Sequence, residues 1–404
     1  MKVMYKNDMK VPAKIWVDDL SQVESGALDQ VENVCSNDFV QFASFMPDIH
    51  QGMGCPIGAV VATEHELIPN FVGVDIGCGM GSLSTNISVK DVSNDLLLKL
   101  VRQITQAIPL GFNKHDTPPK CSPEAENHCN YVSEDHLSEW VRFASKKSLA
   151  AKERLKECIL SLGTLGGGNH FIELQKDEND VLHAMVHSGS RGPGEAIARV
   201  FMNEAKAQNA TWKTRARQGT EFLPDSSDIG LLYLEAVQWA QDFAKYNREA
   251  IINNIRSILA NNLPDIVFGE LINIHHNYVA REHHYSNNVW VHRKGATRIR
   301  NNILGIIPGS MGTPSYLVKG LNNPESLDSC SHGAGRALSR SKARELLDLE
   351  VFKQKMSGIV SFAITANHLD ESPMAYKDID KVMDNQKDLV EIVKVFTPIA
   401  SIKG

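Results

Sequence analysis

An aspartate and a cysteine stand three residues apart in a glycine-rich stretch, FVGVDIGCGMG, that runs from Phe71 to Gly81. If the glycines fold the backbone into a tight turn, the side chains of Asp75 and Cys78 can reach one small cation. The thiolate suits zinc or iron, and the carboxylate also admits manganese. An Asp-x-x-Cys pair alone is weak evidence, because a buried cysteine at a strand end also behaves as a small hydrophobic residue. The metal interpretation therefore depends on further ligands elsewhere in the chain.

Histidines in glycine- or asparagine-rich surroundings supply those further ligands. His170 follows three glycines in GTLGGGNHFIEL, His187 opens HSGSRGPG, and His276 lies in LINIHHNYV. His332 lies between small residues in SCSHGAGRALSR and is a fourth histidine in such a setting. Glycine- and serine-rich turns can bring backbone N–H groups close to phosphates, and the guanidinium of Arg191 could hold one. A metal, phosphate-binding turns and a free histidine together indicate phosphoryl or nucleotidyl transfer.

Several of these features also have a purely structural interpretation. His170 could be a hydrogen-bonded histidine in a hairpin turn. Asp48 and His50 could form an Asx turn beside a surface histidine. A zinc site between residues 110 and 132 is not expected, because no second spaced pair accompanies the candidate ligands Cys121, His128 and Cys129.

The elements that must position these residues are strands and helices that alternate along the chain. We predict strands at 59–62, 71–74, 171–174, 181–186 and 359–365, and a strand followed by a basic turn within 289–300. Helices are predicted at 30–45, 88–108, 134–160, from about 195, at 230–262 and at 379–396. His283 and His284 are interpreted as an exposed helix surface, and 110–132 as loop. This mixture predicts an α/β (mixed α+β) fold.

Length, charge and cysteine content narrow the class of protein. The chain has 404 residues, of which 42% are hydrophobic and 22% charged, as in ordinary globular proteins. It shows neither a membrane-spanning apolar run nor a secretory signal, and its seven cysteines include no C-x-x-C pair, so we expect reduced thiols and a cytoplasmic location. With a net charge of −6, binding to nucleic acid would need a local basic patch. The densest candidate contains Arg293, Lys294, Arg298 and Arg300.

Beyond these patterns, the chain resembles the RtcB family of RNA-splicing ligases. The resemblance runs from about Met46 to Lys403 and lies in VGVDIGCGM, GTLGGGNHFIE, HSGSRG, INIHHNYV, HRKGATR, PGSMG, SHGAGRALSR and PMAYKDID. It implies one RtcB-like domain over residues 1–404, with central mixed sheets surrounded by helices. It also implies two Mn²⁺ ions and GTP as cofactors. The implied reaction joins RNA ends carrying a 3′-phosphate or 2′,3′-cyclic phosphate to 5′-hydroxyl ends, in tRNA splicing or RNA repair.

The resemblance also implies roles for individual residues. The two metal ions are expected to share the ligands Asp75, Cys78, His170, His187 and His276. His332 is expected to bind GMP covalently. Contacts with the guanine nucleotide are expected from Asn169, Phe171, Glu173, Ser310, Ser315, His332, Gly335 and Lys403. Contacts with an RNA phosphate are expected from Arg191, Arg336 and Asp48.

Two other functional classes stay open: a metal-dependent phosphoesterase that keeps the site, and a non-ligating RNA-binding paralogue. Formation of a GMP adduct distinguishes the ligase from both. The chain also departs from the family pattern at Ala363 and Ile364, where relatives often carry basic residues. This departure predicts a weaker hold on RNA phosphates. The natural RNA and any activating protein partner cannot be read from the sequence.

Overall fold

Two large β-sheets and one long helix form the framework of the chain. We describe residues 1–6, 8–131 and 158–404 of a computed structural model. The helix predicted over 134–160 lies almost entirely outside these residues. Within the described part of the chain, no helix is both long and apolar enough to cross a lipid bilayer.

One sheet has six strands, in the order β1-β2-β3-β4-β12-β11. β2 and β3 are parallel and the other neighbours are antiparallel, so this sheet is mixed, as predicted. Its strands are β1 (Lys2–Met4), β2 (Ala13–Ile15), β3 (Val40–His50), β4 (Ile57–Thr63), β11 (Asn277–His284) and β12 (Asn287–Lys294).

The second sheet has seven strands, in the order β10-β6-β8-β7-β17-β15-β14, and every neighbouring pair is antiparallel. Its strands are β6 (Gly79–Ser88), β7 (Phe171–Lys176), β8 (Val181–Ser188), β10 (Phe268–His275), β14 (Leu304–Ile307), β15 (Ser315–Gly320) and β17 (Val390–Lys403). Two small ladders pair β5 (Glu66–Leu67) with β9 (Leu223–Pro224) and β13 (Ala296–Arg298) with β16 (Ser329–Ser331).

Helices surround these sheets. In the described residues they are α1 (Ser25–Cys35), α2 (Asn94–Ala107), α3 (Pro123–Asn130), α4 (Cys158–Ser161), α5 (Arg191–Trp212), α6 (Asp228–Asn262), α7 (Arg340–Leu346), α8 (Leu349–Lys355) and α9 (Ile379–Asp384). The mixture confirms the predicted α/β (α+β) class.

The 35-residue helix α6 supports the seven-stranded sheet. The hydroxyl of Ser227 caps its start by accepting a hydrogen bond from the backbone N–H of Gly230. Apolar residues at helical spacing, among them Phe243, Ile251 and Ile255, are completely buried. The face that carries Ile251 and Ile255 packs against β6, β8 and β10, which are the strands that lead to the candidate metal ligands.

Several element predictions are wrong for physical reasons. Residues 71–74 form no strand, because Pro69 begins a short 3₁₀ helix and the strand starts only at Gly79. The predicted helix at 30–45 stops at Cys35, where the amide of Asn37 bonds the carbonyls of Asn33 and Val34. His283 and His284 lie in strand β11, not on a helix.

Other predicted elements differ from the structure in their boundaries or their type. The predicted helix at 379–396 ends at Asp384, and the β-branched run after it forms β17. Residues 359–365 contain only an isolated bridge from Val360 to Ala400. The segment predicted as loop at 110–132 contains α3, whose first turn is capped by Ser122. Helix α5 begins at Arg191, four residues earlier than predicted.

Candidate active site

The predicted metal ligands meet at one end of the seven-stranded sheet. Cys78 immediately precedes β6, and His170 immediately precedes β7. His187 lies near the end of β8, where it stands opposite Met80 of β6 and Phe171 of β7. The adjacency of these strands therefore brings together residues that are far apart in the sequence.

The ligand atoms form a continuous chain of close contacts. Cys78 Sγ lies 3.4 Å from Nε2 of His170 and 3.3 Å from Nε2 of His187. Asp75 Oδ2 lies 3.0 Å from Nε2 of His170, at one end of the chain. At the other end, Nε2 of His187 lies 3.3 Å from Nε2 of His276. The thiol is therefore central, with a histidine on each side.

Hydrogen bonds behind the cluster turn the histidines toward the thiol. Nδ1 of His170 lies 2.9 Å from the carbonyl oxygen of Leu165, and Nδ1 of His187 lies 3.2 Å from that of Asn169. If each Nδ1 carries the proton, each Nε2 has a free lone pair pointing at Cys78. This is the usual arrangement of metal-binding histidines.

The electrostatics of the cluster also fit a divalent cation. Burial, reinforced by neighbouring histidines, lowers the pKa of both His187 and His276 well below the usual value, which keeps their lone pairs available. Burial would raise the pKa of Asp75, but His170, Cys78 and Arg191 together lower it below its usual value. Burial and the Asp75 carboxylate raise the pKa of the Cys78 thiol. A cation between thiol and carboxylate would relieve that repulsion, so this donor set suits zinc, iron or manganese.

His332 follows β16 and lies against a buried carboxylate from β3. Asp48 Oδ2 accepts hydrogen bonds from the backbone N–H groups of His332 (3.1 Å) and Gly333 (3.3 Å). The same oxygen lies 2.6 Å from His332 Nδ1, which is ion-pair distance, although the two atoms are not aligned as a hydrogen bond. Gly335 has a φ of +71°, and a Cβ there would overlap the Asp48 carbonyl. This turn therefore requires glycine.

A cavity of about 270 Å³ opens beside His332. Six residues expected at the nucleotide line it, namely Asn169, Phe171, Ser310, His332, Gly335 and Lys403, and Arg336 lines it as well. Glu173 and Ser315 lie behind this lining, joined by Gln175, whose amide nitrogen is 2.7 Å from Glu173 Oε2 and 3.3 Å from Ser315 Oγ. The His332 ring centre is 4.9 Å from that of His276, so the cavity borders the metal cluster.

Residues that the sequence analysis did not assign organise this cavity. The buried carboxylate of Glu371 pairs with Lys403 and, at 2.6 Å, with Arg340. It also accepts a 2.6 Å hydrogen bond from the hydroxyl of Tyr376, which lines the cavity. Tyr376 belongs to the motif PMAYKDID and Glu371 lies two residues before it, so the motif marked this region without assigning a chemical role to either residue.

Arg248 was also missed. It is fully buried in the middle of α6, and its Nη1 donates to the carbonyls of Gly77 and Ser188, each at 2.9 Å. Its Nε donates to Asn273 at 2.7 Å. It thereby joins the turn before β6 to the ends of β8 and β10. The sequence did contain a signal of its burial, because Arg248 is a charged residue among the apolar positions that include Phe243 and Ile251.

The residues expected at an RNA phosphate separate in space. Arg191, at a strained φ of +57°, lines a second cavity of about 730 Å³ together with Asp75 and His170. Arg336 lies instead in the first cavity, where its Nη2 donates to the carbonyl of Asp370 at 2.7 Å. Asp48 is completely buried beneath His332.

Two of the four residues of the predicted basic patch are not exposed. Arg293 is completely buried and forms an ion pair with Glu282. Lys294 is buried too, and its ammonium group donates to the carbonyls of Met53, Cys55 and Asn70 at 2.7–3.1 Å. Arg293 and Lys294 are therefore not available to RNA, whereas Arg298 and Arg300 are partly exposed and pair with Glu282 and Asp328.

Comparisons with known proteins identify the family of this chain. A sequence model of one family, described as tRNA-splicing ligase RtcB, matches residues 30–404. The chain is 38% identical over 405 residues to the RNA-splicing ligase RtcB of Escherichia coli (strain K12), covering 97% of each chain. It is 31% identical over 470 residues to the tRNA-splicing ligase RtcB of Methanococcus maripaludis, covering 100% of this chain and 97% of the relative. It is 32% identical over 469 residues to the tRNA-splicing ligase RtcB of Nanoarchaeum equitans, covering 98% and 96%. The chain belongs to the RtcB family.

Proposed function

We propose that this protein is an RNA ligase that joins 3′-phosphate or 2′,3′-cyclic phosphate ends to 5′-hydroxyl ends, with GTP and two Mn²⁺ ions as cofactors. Its substrates are broken or spliced RNAs such as tRNA halves. We also propose that residues 1–404 form one domain. The seven cysteines are free thiols, which supports a reducing compartment such as the cytoplasm.

The position of His332 is the observation that carries this proposal. Its side chain lies between a cavity large enough to accept part of a nucleotide and a cluster of metal-ligating atoms. The carboxylate of Asp48 beside Nδ1 leaves Nε2 as the nucleophilic atom and stabilises positive charge on the ring. A phosphoesterase that uses an activated water needs no covalent histidine, so formation of a GMP adduct distinguishes the two classes.

The proposed reaction has three nucleotidyl-transfer steps. His332 Nε2 attacks the α-phosphorus of GTP, so that a P–N bond forms and pyrophosphate leaves. The RNA 3′-phosphate then attacks the same phosphorus, which frees His332 and leaves GMP on the RNA 3′ end. Any cyclic phosphate is first opened by water. Finally the 5′-hydroxyl attacks the activated 3′-phosphate, and GMP leaves as the phosphodiester bond forms.

The protein's own groups hold the reacting parts in place. Asp75, Cys78, His170, His187 and His276 would hold the two ions, since their donor atoms form one chain of contacts centred on Cys78. When bound, the ions neutralise charge on phosphoryl oxygens. Lys403 and Tyr376 border the cavity for the guanine nucleotide, and Arg191 borders the second cavity for RNA.

Incubation with GTP labelled at the α-phosphate, in the presence of Mn²⁺, tests the proposal. We expect the label to become bound to the protein through an acid-labile bond, and we expect His332→Ala to abolish it. His332→Ala should still seal RNA that already carries a 3′ guanylate. A label that maps to another residue would refute the assignment of the nucleophile. Release of RNA phosphate without any adduct would instead identify a metal-dependent phosphoesterase.

A further inference from the structure

A fully exposed phenylalanine stands at the mouth of the second cavity. A single exposed aromatic residue is common on protein surfaces and needs no explanation by itself. Phe112 differs because the cavity it borders reaches Asp75 and His170, which belong to the metal cluster. Its ring therefore lies at the solvent side of the cavity that reaches the candidate metal ligands Asp75 and His170.

The turn that carries Phe112 is fixed to the active site. The backbone N–H of Asn113 bonds the carbonyl of Leu110 at 3.2 Å, which closes a tight turn with Phe112 near its tip. The neighbouring Gly111 donates its N–H to the Gly166 carbonyl at 3.0 Å, in the segment that leads to His170. The exposed ring is thus held by an ordered turn.

Arg191 connects this turn to the metal cluster directly. Its Nη2 donates to the carbonyl of Gly111 at 3.2 Å, and its Nη1 lies 3.3 Å from Nδ1 of His170. One guanidinium therefore contacts both the Phe112 turn and a candidate metal ligand. A ligand bound at Phe112 would therefore lie close to Arg191 and the candidate metal ligand His170.

The charge of the cavity favours a polyanion. Arg191, Arg340 and Arg344 all line it. Arg340 and Arg344 pair with Asp370, and Asp75 and Glu195 also border the cavity, so the positive charge is partly balanced. Arginines beside an exposed aromatic ring are the elements that bind single-stranded nucleic acid, in which phosphates meet cations and bases stack on rings.

Two residues line both cavities. Asn169 and Arg340 border the nucleotide cavity on one side and the Phe112 cavity on the other. A strand that enters past Phe112 can therefore place its terminal phosphate at this boundary, where it would meet the activated nucleotide. This geometry fits the strand that carries the 3′-phosphate.

We propose that Phe112 is a stacking platform for a nucleobase close to the 3′-phosphate end of the RNA substrate. This proposal rests on the proposed function, because an RNA ligase must bind RNA. It adds a specific position at which one base of that RNA is bound. The base lies against the ring while Arg191 and Arg340 face the phosphates. The contact is to a base surface, so it tolerates any sequence.

The test measures the affinity of a short fluorescent single-stranded RNA with a 3′-phosphate, in Mn²⁺ and without GTP. Phe112→Ala should weaken binding roughly 5- to 150-fold, the range for loss of one stacked base. Phe112→Trp should restore it and Phe112→Leu should not. The slope of affinity against salt should be unchanged, because no charge is removed. Trp212→Ala, which removes another partly exposed aromatic residue at the end of α5, is the matched control and should bind normally.

A second experiment identifies which base of the RNA contacts Phe112. In this experiment the affinity of both proteins is measured for a set of RNAs, each with one abasic nucleotide at a different distance from the 3′ end. At one of these positions the abasic nucleotide should lower the affinity of the unsubstituted protein but not that of Phe112→Ala. Normal RNA binding by Phe112→Ala, full rescue by leucine, or an effect confined to a 5′-hydroxyl strand would each overturn the proposal. Failure of the proposed function has a different signature, because the unsubstituted protein would then bind RNA without acquiring a GMP label.

Discussion

Lys403 and Glu371 form a buried ion pair across 32 residues of sequence, with each side chain only 4% exposed. Lys403 ends β17, where it stands opposite Phe171, so the sheet fixes its backbone. Glu371 holds the ammonium group of Lys403 beside the nucleotide cavity and also accepts a hydrogen bond from the hydroxyl of Tyr376. A residue at this position in the sequence would ordinarily be a candidate for fraying, and here it is part of the core.

Replacing Lys403 by methionine should weaken GTP binding. The variant keeps the length of the side chain but removes a charged donor at the cavity, and a hydrogen bond to a charged group contributes about 1.5–3 kcal/mol, or roughly 10- to 150-fold in affinity. Titration of the protein with GTP measures this. Lys319→Met, which breaks an exposed pair with Glu391 in the same sheet, is the control and should have no effect. Unchanged GTP affinity in Lys403→Met would remove Lys403 from the nucleotide site.

Asp48→Asn should slow formation of the GMP adduct while leaving GTP affinity nearly unchanged. The amide cannot stabilise a positively charged His332 ring, and the loss of such an acid–base partner typically costs about 10²–10⁴-fold in rate. Single-turnover labelling separates the rate from the affinity. Because Asp48 is buried, a thermal melt should confirm folding. A folded variant that weakens GTP binding at an unchanged rate would contradict a role in orienting the nucleophile.

Cys78→Ala should lose ligation and reduce the amount of Mn²⁺ bound. The thiol is the central donor, in contact with His170 and His187, and alanine leaves the histidines without their shared neighbour. Metal analysis after desalting gives the stoichiometry, and circular dichroism monitors the fold. Cys35→Ala removes another completely buried thiol outside the site and should keep both metal and activity. Full sealing by Cys78→Ala with Mn²⁺ as the only metal would refute the assignment.

The contribution of Glu173 to folding stability should fall as the pH rises from about pH 5 to about pH 8, whereas the buried histidines His187 and His276, whose pKa values are lowered, act in the opposite direction at the lower end of this range. Burial raises the pKa of this carboxyl to about 8, although Gln175, Lys403 and Ser401 oppose the shift. Between the unfolded and folded pKa values the folded protein retains a proton that the unfolded chain has lost, so higher pH favours unfolding. Glu173→Gln should flatten this dependence. Urea unfolding at several pH values measures it, and equal slopes in both proteins would contradict the prediction.

Arg293→Met should destabilise the fold without changing how RNA binding responds to salt. Removing one partner of a buried ion pair typically costs about 3–5 kcal/mol, since Glu282 would lose its main counter-charge. Arg191→Met is the contrast, because losing a phosphate contact should lower the salt slope by about 0.7–0.9. Denaturation and RNA titrations distinguish the two roles. A reduced salt slope in Arg293→Met would restore the predicted basic patch.

The sequence identified which side chains come together at the site more accurately than it identified the bounds of the strands and helices that carry them. Asp75 and Cys78 alone were weak evidence for a metal site, and it was the histidines in further glycine- and asparagine-rich stretches, together with the resemblance to the RtcB family, that indicated one. The strand before the turn was wrong because an apolar run such as 71–74 carries no periodicity that distinguishes a strand from a turn. The burial of Arg293 and Lys294 could not be predicted either, because their partners Glu282 and the carbonyls of the 53–70 segment are defined only by the folded chain.

The departure at Ala363 and Ile364 illustrates the same limit. Ala363 is buried in an apolar cluster with Phe352 and Met356, and Ile364 packs against it. An arginine introduced at 363 would enter that cluster and would not face RNA. A weaker hold on RNA phosphates stays a prediction, and it is better examined through the arginines that line the cavities.

The place of β17 in the seven-stranded sheet has a consequence for biosynthesis. β17 lies between β7 and β15, so residues 171–176 have one open edge until residues 390–403 have been translated. A nascent chain must hold that edge unpaired while more than half of the protein is still being made, and an open edge is a template for intermolecular pairing. We therefore expect shortened translation products that lack β17 to depend on chaperones and to aggregate when chaperones are scarce.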